Sequence, residues 1–190
     1  MAFRIQQKVG VQAPATQVWD ILADLDAWKR WNPLYTKAEG RLSIGAPLVL
    51  TRTLPGDGNR VLETRVVDWV PDSQLIWSRK VGFMATSLGY LELEVLGEEA
   101  CVLAAGEIFN GLGSDLLPRP LRRDLRNGFF ALCEAAKAHA ELSWSNADER
   151  YKTECRNASR MAMNAGAVDV TPVKKADPIM TFGRQPPKRK

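Results

Sequence analysis

Apolar and polar residues alternate over several short stretches of this chain, which is the pattern of β-strands with one buried face. Turn clusters such as Pro-Gly-Asp-Gly-Asn at 55–59 separate the later stretches, and no helical pattern lies between them. The sequence therefore predicts an antiparallel meander. We expect its strands at 3–11, 35–42, 48–54, 60–70, 74–81, 87–96 and 100–109.

Helical spacing follows the first strand. Between Ala15 and Leu25 the apolar residues recur every three or four positions, and Pro14 stands where the first turn of a helix tolerates proline. Asp24 is placed to cap a second short helix, which must end before Pro33. Two short helices are thus expected after strand 1.

A longer helix is predicted over 120–142, where apolar residues fall on one face and charged residues on the other. The apolar face comprises Leu121, Leu125, Phe129, Leu132, Ala136 and His139. The charged face comprises Arg123, Arg126, Glu134, Lys137 and Glu141. We expect the His139 ring to be packed on the apolar face.

The character of the chain changes after Ser145. Residues 146–190 hold ten Lys/Arg and five Asp/Glu, a net charge of +5, whereas the other 145 residues hold 16 and 17, a net charge of −1. The last part also contains four prolines and no apolar period, so it cannot bury enough surface to offset its ordering entropy. We predict a folded domain over 1–143 and a basic, disordered tail over 144–190, with at most a transient helix at 148–163.

Charge and composition limit the classes of partner and the location that we expect for this protein. A near-neutral domain has no electrostatic footprint for nucleic acid, so we expect no nucleic-acid partner, while the basic tail allows transient contact with a membrane surface. No stretch approaches the ~20 apolar residues of a membrane helix, and the N-terminus lacks the apolar run of a signal peptide. A cytoplasmic protein without an integral membrane segment is expected.

The sequence gives little support for a metal site or for a nucleophilic active site. The cysteines Cys101, Cys133 and Cys155 are widely spaced, without a C-x-x-C pair, and one histidine in 190 residues cannot build a His-based metal site. We expect no metal and no cofactor, and we expect reduced, mostly buried thiols.

Three segments stand out in order along the chain: Val-Trp-Asp-Ile-Leu-Ala-Asp at 18–24 leading to Trp-Asn-Pro at 31–33, Val-Pro-Asp-Ser-Gln-Leu-Ile-Trp at 70–77, and Glu-Ile-Phe-Asn-Gly at 107–111. Together with the order of the elements they resemble the START-like (SRPBCC) superfamily in its polyketide cyclase/dehydrase-like branch. The resemblance covers roughly residues 3–143. It implies the α+β helix-grip fold, in which a curved seven-stranded antiparallel sheet wraps around a long C-terminal helix and a cavity lies between them.

The strand alternation places three charged residues among apolar neighbours on the inward face: Arg52, Arg79 and Glu107. They are candidates for orienting a ligand or polarising a carbonyl, or they form a structural ion pair, or a shift of register turns them to water. The full set of cavity candidates is Trp31, Leu50, Arg52, Trp77, Arg79, Leu91, Leu93, Glu107, Leu125, Phe129 and Leu132. The catalytic residues, if there are any, are not identified by the sequence.

Three functions remain open, because the fold does not settle function and the superfamily contains both carriers and enzymes. The first is a non-catalytic carrier or sensor that binds a small hydrophobic ligand, lipid or polyketide-like, in the internal cavity. The alternative is a polyketide cyclase or dehydratase-like enzyme. A scaffold that uses the domain for protein contacts is a third possibility.

Overall fold

The computed structural model describes residues 3–81, 84–111 and 117–166. In these residues seven strands form one antiparallel sheet in the order β1-β7-β6-β5-β4-β3-β2. The strands are β1 Phe3–Val11, β2 Tyr35–Gly40, β3 Pro47–Leu54, β4 Gly58–Val70, β5 Gln74–Lys80, β6 Ala85–Gly97 and β7 Ala100–Gly111. The predicted meander is confirmed, since every strand from β2 to β6 pairs with the next one along the chain.

Two short helices follow β1, as expected. They are α1, Ala15–Ala23, and α2, Trp28–Trp31, with a single 3₁₀ turn between them. The Asp24 carboxylate accepts a hydrogen bond from the backbone N–H of Ala27 at 3.1 Å, so Asp24 caps the 3₁₀ turn that leads into α2. The Trp28 indole donates to the Leu22 carbonyl at 3.0 Å and so fixes α2 against α1.

The long helix α3, Arg119–Ser145, lies against β1 and is gripped by the curved sheet. Its inward side chains are fully buried at Leu125, Phe129 and Leu132, in the same apolar core as the inner face of the sheet. A Cβ added at Gly128 would lie 2.7 Å from Leu34 Cδ1, so glycine allows the helix to approach β2 closely. The predicted helix-grip architecture is confirmed.

The prediction for His139 is wrong. This residue is exposed, and its ring stacks on Trp31 with 6.2 Å between centroids and 13° between planes. The buried line of α3 runs from Ala136 to Ala140 and Trp144, in steps of four residues. Each step of four residues turns the line of contact by about 40°, so toward the end of α3 this line has moved away from the face that Leu121 and His139 share.

The structure also differs from the expected disorder after residue 143. Helix α3 continues to Ser145, and residues 149–166 form a further helix, α4, Glu149–Gly166, which contacts α1 and β6. Cys155 and Ser159 on α4 are buried, at 6% and 2% exposure. The composition of the segment gave no sign of this packing, because its partners are distant in sequence.

The partners of α4 in the rest of the domain include three acidic side chains. Arg160 of α4 forms an ion pair with Glu98 at 2.8 Å, and Arg156 forms another with Glu99. The Tyr151 hydroxyl donates to the Asp20 carboxylate at 2.9 Å. The expected tail beyond residue 166 lies outside the described residues, so the boundary at 143/144 stays a prediction. Among the described residues, no helix is long and apolar enough to span a membrane.

Candidate functional site

The three charged residues that strand alternation placed on the inward face lie close together within the curved sheet. Arg52 on β3, Arg79 on β5 and Glu107 on β7 all point inward, since each follows the buried parity of its strand. Arg79 Nη2 lies 3.0 Å from Glu107 Oε1, and Arg52 Nη1 lies 3.6 Å from Glu107 Oε2. One carboxylate therefore faces two guanidinium groups in an apolar interior. We name Arg52, Arg79 and Glu107 the buried triad.

Asp57 holds Arg52 from the opposite side. This carboxylate lies in the turn between β3 and β4 and accepts from Arg52 Nη2 at 3.0 Å and from Arg60 Nη1 at 3.3 Å. Partial burial works to raise the pKa of Asp57, but the hydrogen bonds from Arg52 and Arg60 outweigh it and hold this pKa below its usual value. The side chain of Arg52 is thereby fixed between two carboxylates, with only 2% of it exposed.

Several hydrogen-bonding atoms of this region have no hydrogen-bond partner among the described residues. They are Arg52 Nε, Arg52 Nη1, Glu107 Oε2 and Ser87 Oγ, all buried. Ser87 is directly opposite Arg79 on β5 and Phe109 on β7 and has 1% exposure. Burying a polar group without a hydrogen bond costs free energy, so these atoms are suited to receive a polar group of a bound molecule.

Tyr35 completes the polar region from the side of β2. It is paired with Arg52 in the ladder and is 1% exposed. Burial, followed by the charge of Glu107, raises the pKa of its phenol well above the usual value, against the opposing effect of Arg52 and Arg79. The phenol therefore stays protonated at any physiological pH and can act as a hydrogen-bond donor, but it is a poor source of transferable protons.

Aromatic rings line the apolar side of the site. Tyr35 contacts Trp28, Trp77 and Phe129 with centroid distances of 5.9, 5.9 and 6.4 Å. The Trp77 ring lies flat over Gly89 of β6, where an added Cβ would come within 2.4 Å of Trp77 Nε1. These rings give a rigid apolar wall next to the charged groups.

The remaining sequence candidates occupy the core around the triad. Most belong to one buried cluster: Leu50, Trp77, Leu91, Leu93, Leu125, Phe129 and Leu132. Trp31 is only half-buried and stacks on His139 of α3. It therefore lies beside α3 and not next to the triad. That this set lines a ligand cavity stays a prediction.

Sequence reasoning missed three residues of the site, namely Tyr35, Asp57 and Ser87. Ser87 carried a usable signal, because it shares the inward parity of Leu91 and Leu93 and interrupts an apolar face. Asp57 lay in a segment interpreted only as a turn. Tyr35 begins a strand whose pattern was too weak to assign its faces.

A surface recess leads toward the triad. It has a volume of about 480 Å³ and is lined by Arg60, Val61, Leu62, Glu63, Arg79 and Lys80. Arg79 belongs to both the recess and the buried triad. Its side chain is 13% exposed at the recess, and its guanidinium group pairs with Glu107 on the inside. Arg79 is therefore the member of the triad that also borders this recess.

Other chemistries lack the necessary groups in the described residues. The one histidine stacks on Trp31 and is not part of the triad. Burial raises the pKa of Cys101 and Cys133 to about 12, so both stay protonated and are poor nucleophiles. No group of three or more His, Cys, Asp or Glu side chains is arranged to hold a metal within the described ranges.

Solved structures of the same fold include enzymes and proteins without a stated activity. The Zhui aromatase/cyclase from Streptomyces sp. R1128 has a TM-score of 0.62 and 20% identity, over 75% of this chain and 96% of that one. A START superfamily protein from Mycobacterium smegmatis has a TM-score of 0.58 and 18% identity, over 73% and 97%. Norcoclaurine synthase from Thalictrum flavum has a TM-score of 0.57 and 13% identity, over 74% and 94%. At these identities the likeness shows the fold alone.

Comparison with curated protein sequences gave no match. The sequence model described as polyketide cyclase / dehydrase and lipid transport, in contrast, matches residues 2–137, from before the first strand to the last helix. Since this match spans well over half of the chain and agrees with the fold, the protein belongs to the polyketide cyclase/dehydrase and lipid transport family.

Proposed function

We propose that this protein binds a small hydrophobic ligand between the sheet and α3, as a non-catalytic carrier or sensor in the cytoplasm. The ligand is lipid-like or polyketide-like, with an apolar body and at least one oxygen. The observation that carries this proposal is the group of buried atoms without hydrogen-bond partners, Arg52 Nε and Nη1, Ser87 Oγ and Glu107 Oε2, beside an aromatic wall.

The chemistry of these atoms supports binding more than catalysis. The Tyr35 phenol keeps its proton because burial raises its pKa, and Glu107 serves as the charge partner of the guanidinium groups of Arg52 and Arg79. A general acid–base pair needs groups that exchange protons near neutral pH. Fixed donors next to apolar rings instead match a site that orients a carbonyl or hydroxyl of an apolar molecule.

Native mass spectrometry of the purified full-length protein is the first test. A co-purified small apolar molecule, released unchanged by organic extraction, supports the proposal. Titration with Nile red, a neutral apolar dye that carries a carbonyl, extends the test to protein that has lost its ligand. A protein that carries no small molecule and does not bind this dye contradicts the proposal.

Ser87→Ala separates ligand binding from stability. The Ser87 hydroxyl makes no hydrogen bond within the described residues, so its removal should leave the free energy of unfolding unchanged or raise it slightly. Nile red affinity should fall about three- to tenfold, the equivalent of one hydrogen bond of about 0.5–1.5 kcal/mol.

Thr64→Val is the matched control for Ser87→Ala. The Thr64 hydroxyl is also buried but donates to the Leu48 carbonyl, so its loss should lower stability by about 1 kcal/mol and leave dye affinity unchanged. If Ser87→Ala also lowers stability and has no effect on binding, the hydroxyl has a structural role and the proposal loses this support.

A polyketide cyclase or dehydratase-like enzyme is the second candidate. Its support is the similarity of fold to the Zhui aromatase/cyclase and the presence of two guanidinium groups that can stabilise charge developing on a carbonyl oxygen. Incubation with poly-β-ketone substrates and mass analysis of the products distinguishes the two. Formation of a cyclised or dehydrated product, separated by chromatography, faster than in a control without protein identifies an enzyme, whereas the same rate as in that control fits a carrier.

A further inference from the structure

The pairing between β4 and β5 does not extend along the whole of either strand. The ladder that joins them runs only from the pair Arg65 and Ser78 to the pair Val70 and Gln74. Residues 58–64 of β4 pair with β3 alone, and residues 79–80 of β5 pair with β6 alone. Within the described residues the two strands therefore separate toward the end of the fold where Arg52 and Arg79 lie.

A bulge explains this separation. The register of β4 against β5 shifts between Val66 and Asp68, and a bulge of this kind bends the strand that carries it. At the bend, the backbone N–H of Val66 donates to the Ala46 carbonyl at 3.0 Å, and the Val66 carbonyl accepts from the Gly45 N–H at 2.8 Å. These bonds hold β4 to the connection before β3 at the bulge, while Val66 is still paired with Trp77 of β5.

The recess described above occupies this gap. On its inward side lie Arg60, Leu62 and Arg79, because these positions share the parity of the buried residues of β4 and β5. On its outward side lie the exposed side chains of Glu63 and Lys80. Two guanidinium groups thus flank an apolar floor formed by Leu62, which is 4% exposed. We name this place the β4–β5 cleft.

The charges around the cleft do not cancel. Four cations, Arg52, Arg60, Arg79 and Lys80, face three anions, Asp57, Glu63 and Glu107, which leaves an excess of one positive charge. Lys80 has no ion-pair partner among the described residues. A single negative charge would balance the cleft, and a planar carboxylate fits the fork of an arginine in two hydrogen bonds.

We propose that the β4–β5 cleft is the subsite for the carboxylate of an apolar monoanionic ligand. The carboxylate lies between Arg60 and Arg79, and the apolar body passes Leu62 toward Trp77 and the interior. This inference deepens the proposed function and rests on it. Among the apolar, oxygen-containing molecules that could bind in the interior, the proposal names carboxylic acids as the ligand class.

The test compares a charged probe with its uncharged twin, namely 11-(dansylamino)undecanoic acid and its methyl ester, by fluorescence titration of the full-length protein. The two share one apolar body, so a difference in affinity reports the carboxylate. The acid should bind at least about threefold more tightly than the ester, and raising the salt concentration should reduce this preference, because Arg60 is solvent-exposed.

Arg60→Gln removes one side of the cleft without touching the interior. It should weaken binding of the acid about two- to fivefold and leave binding of the ester unchanged, in line with the strength of exposed charge pairs. Arg41→Gln removes the same charge from an exposed position in the connection between β2 and β3 and should affect neither probe. Arg79→Gln should weaken binding of the acid about tenfold, but it also removes one of the two guanidinium partners of Glu107. If the Arg79→Gln protein unfolds, Arg60→Gln still tests the proposal.

Two negative results have different meanings. If acid and ester bind equally, or if Arg60→Gln weakens both to the same extent, the carboxylate subsite is overturned while the binding function stands. If neither the ester nor Nile red binds, the proposed function fails and the subsite fails with it.

Discussion

Arg52 and Glu107 lie 3.6 Å apart although three strands separate β3 from β7 in the sheet. In a flat sheet the two strands would be about 19 Å apart, since neighbouring strands are spaced by about 4.8 Å. Side chains of this length, pointing the same way, cannot bridge that distance. The contact therefore depends on the curvature that wraps the sheet around α3.

Glu107→Gln should destabilise the protein strongly, because it leaves Arg52 and Arg79 buried without their shared carboxylate. The expected loss is about 3–5 kcal/mol in the free energy of unfolding, measured by urea denaturation. Glu39→Gln is the control, because Glu39 pairs with Lys37 on the surface and its loss should cost less than about 1 kcal/mol. Equal effects of the two substitutions would show that the triad is solvated.

Gly89→Ala should disturb the Trp77 wall. The new methyl group would meet the indole at 2.4 Å, so either the ring or the strand must shift, at a cost of about 1–3 kcal/mol. Tryptophan fluorescence and thermal unfolding measure the two effects. Gly10→Ala on β1 has nothing within 4 Å of the added carbon and should leave both unchanged. A Gly89→Ala protein with wild-type stability would mean that Trp77 is not held as described.

Asp57 makes stability depend on pH. Its pKa is lower in the folded protein than in the unfolded chain, so its stabilising contribution is present above pH 4 and is lost as the pH falls through the folded pKa. Asp57→Asn should accordingly be less stable than the wild type at pH 7, and the difference should shrink as the pH falls below about 4. Urea denaturation at a series of pH values measures this. A difference that is the same at pH 7 and pH 3 would contradict an ionic role for Asp57.

Removal of α4 should weaken the folded domain. Deletion of residues 147–190 exposes Trp144 and removes the partners of Asp20, Glu98 and Glu99, so we expect the melting temperature to fall by at least ~5 °C. Deletion of 167–190 alone is the matched control and should leave the melting temperature nearly unchanged, as expected for a basic segment without an apolar period. If the two truncations behave alike, α4 does not contribute to stability.

The sequence by itself determined the order of the elements as far as α3 and, for the strands other than β2, the face on which the residues lie. The two-residue period of strands and the spacing of turns are local properties, so β1 was expected at 3–11 and observed at Phe3–Val11. The same alternation placed Arg52, Arg79 and Glu107 on the inward face before any contact between them was known. Residues that share a face can be recognised without knowing how the faces curve.

Only the tertiary structure decided which of these residues meet. The approach of Arg52 to Glu107 depends on curvature, the β4–β5 cleft depends on a bulge, and the packing of α4 depends on Glu98 and Glu99 in a distant turn. Each of these is set by contacts between segments far apart in the chain, which no local pattern encodes. The exposure of His139 was also decided by the tertiary structure. The line along which α3 contacts the sheet depends on the shape of the sheet and not on a helical period extrapolated from the sequence.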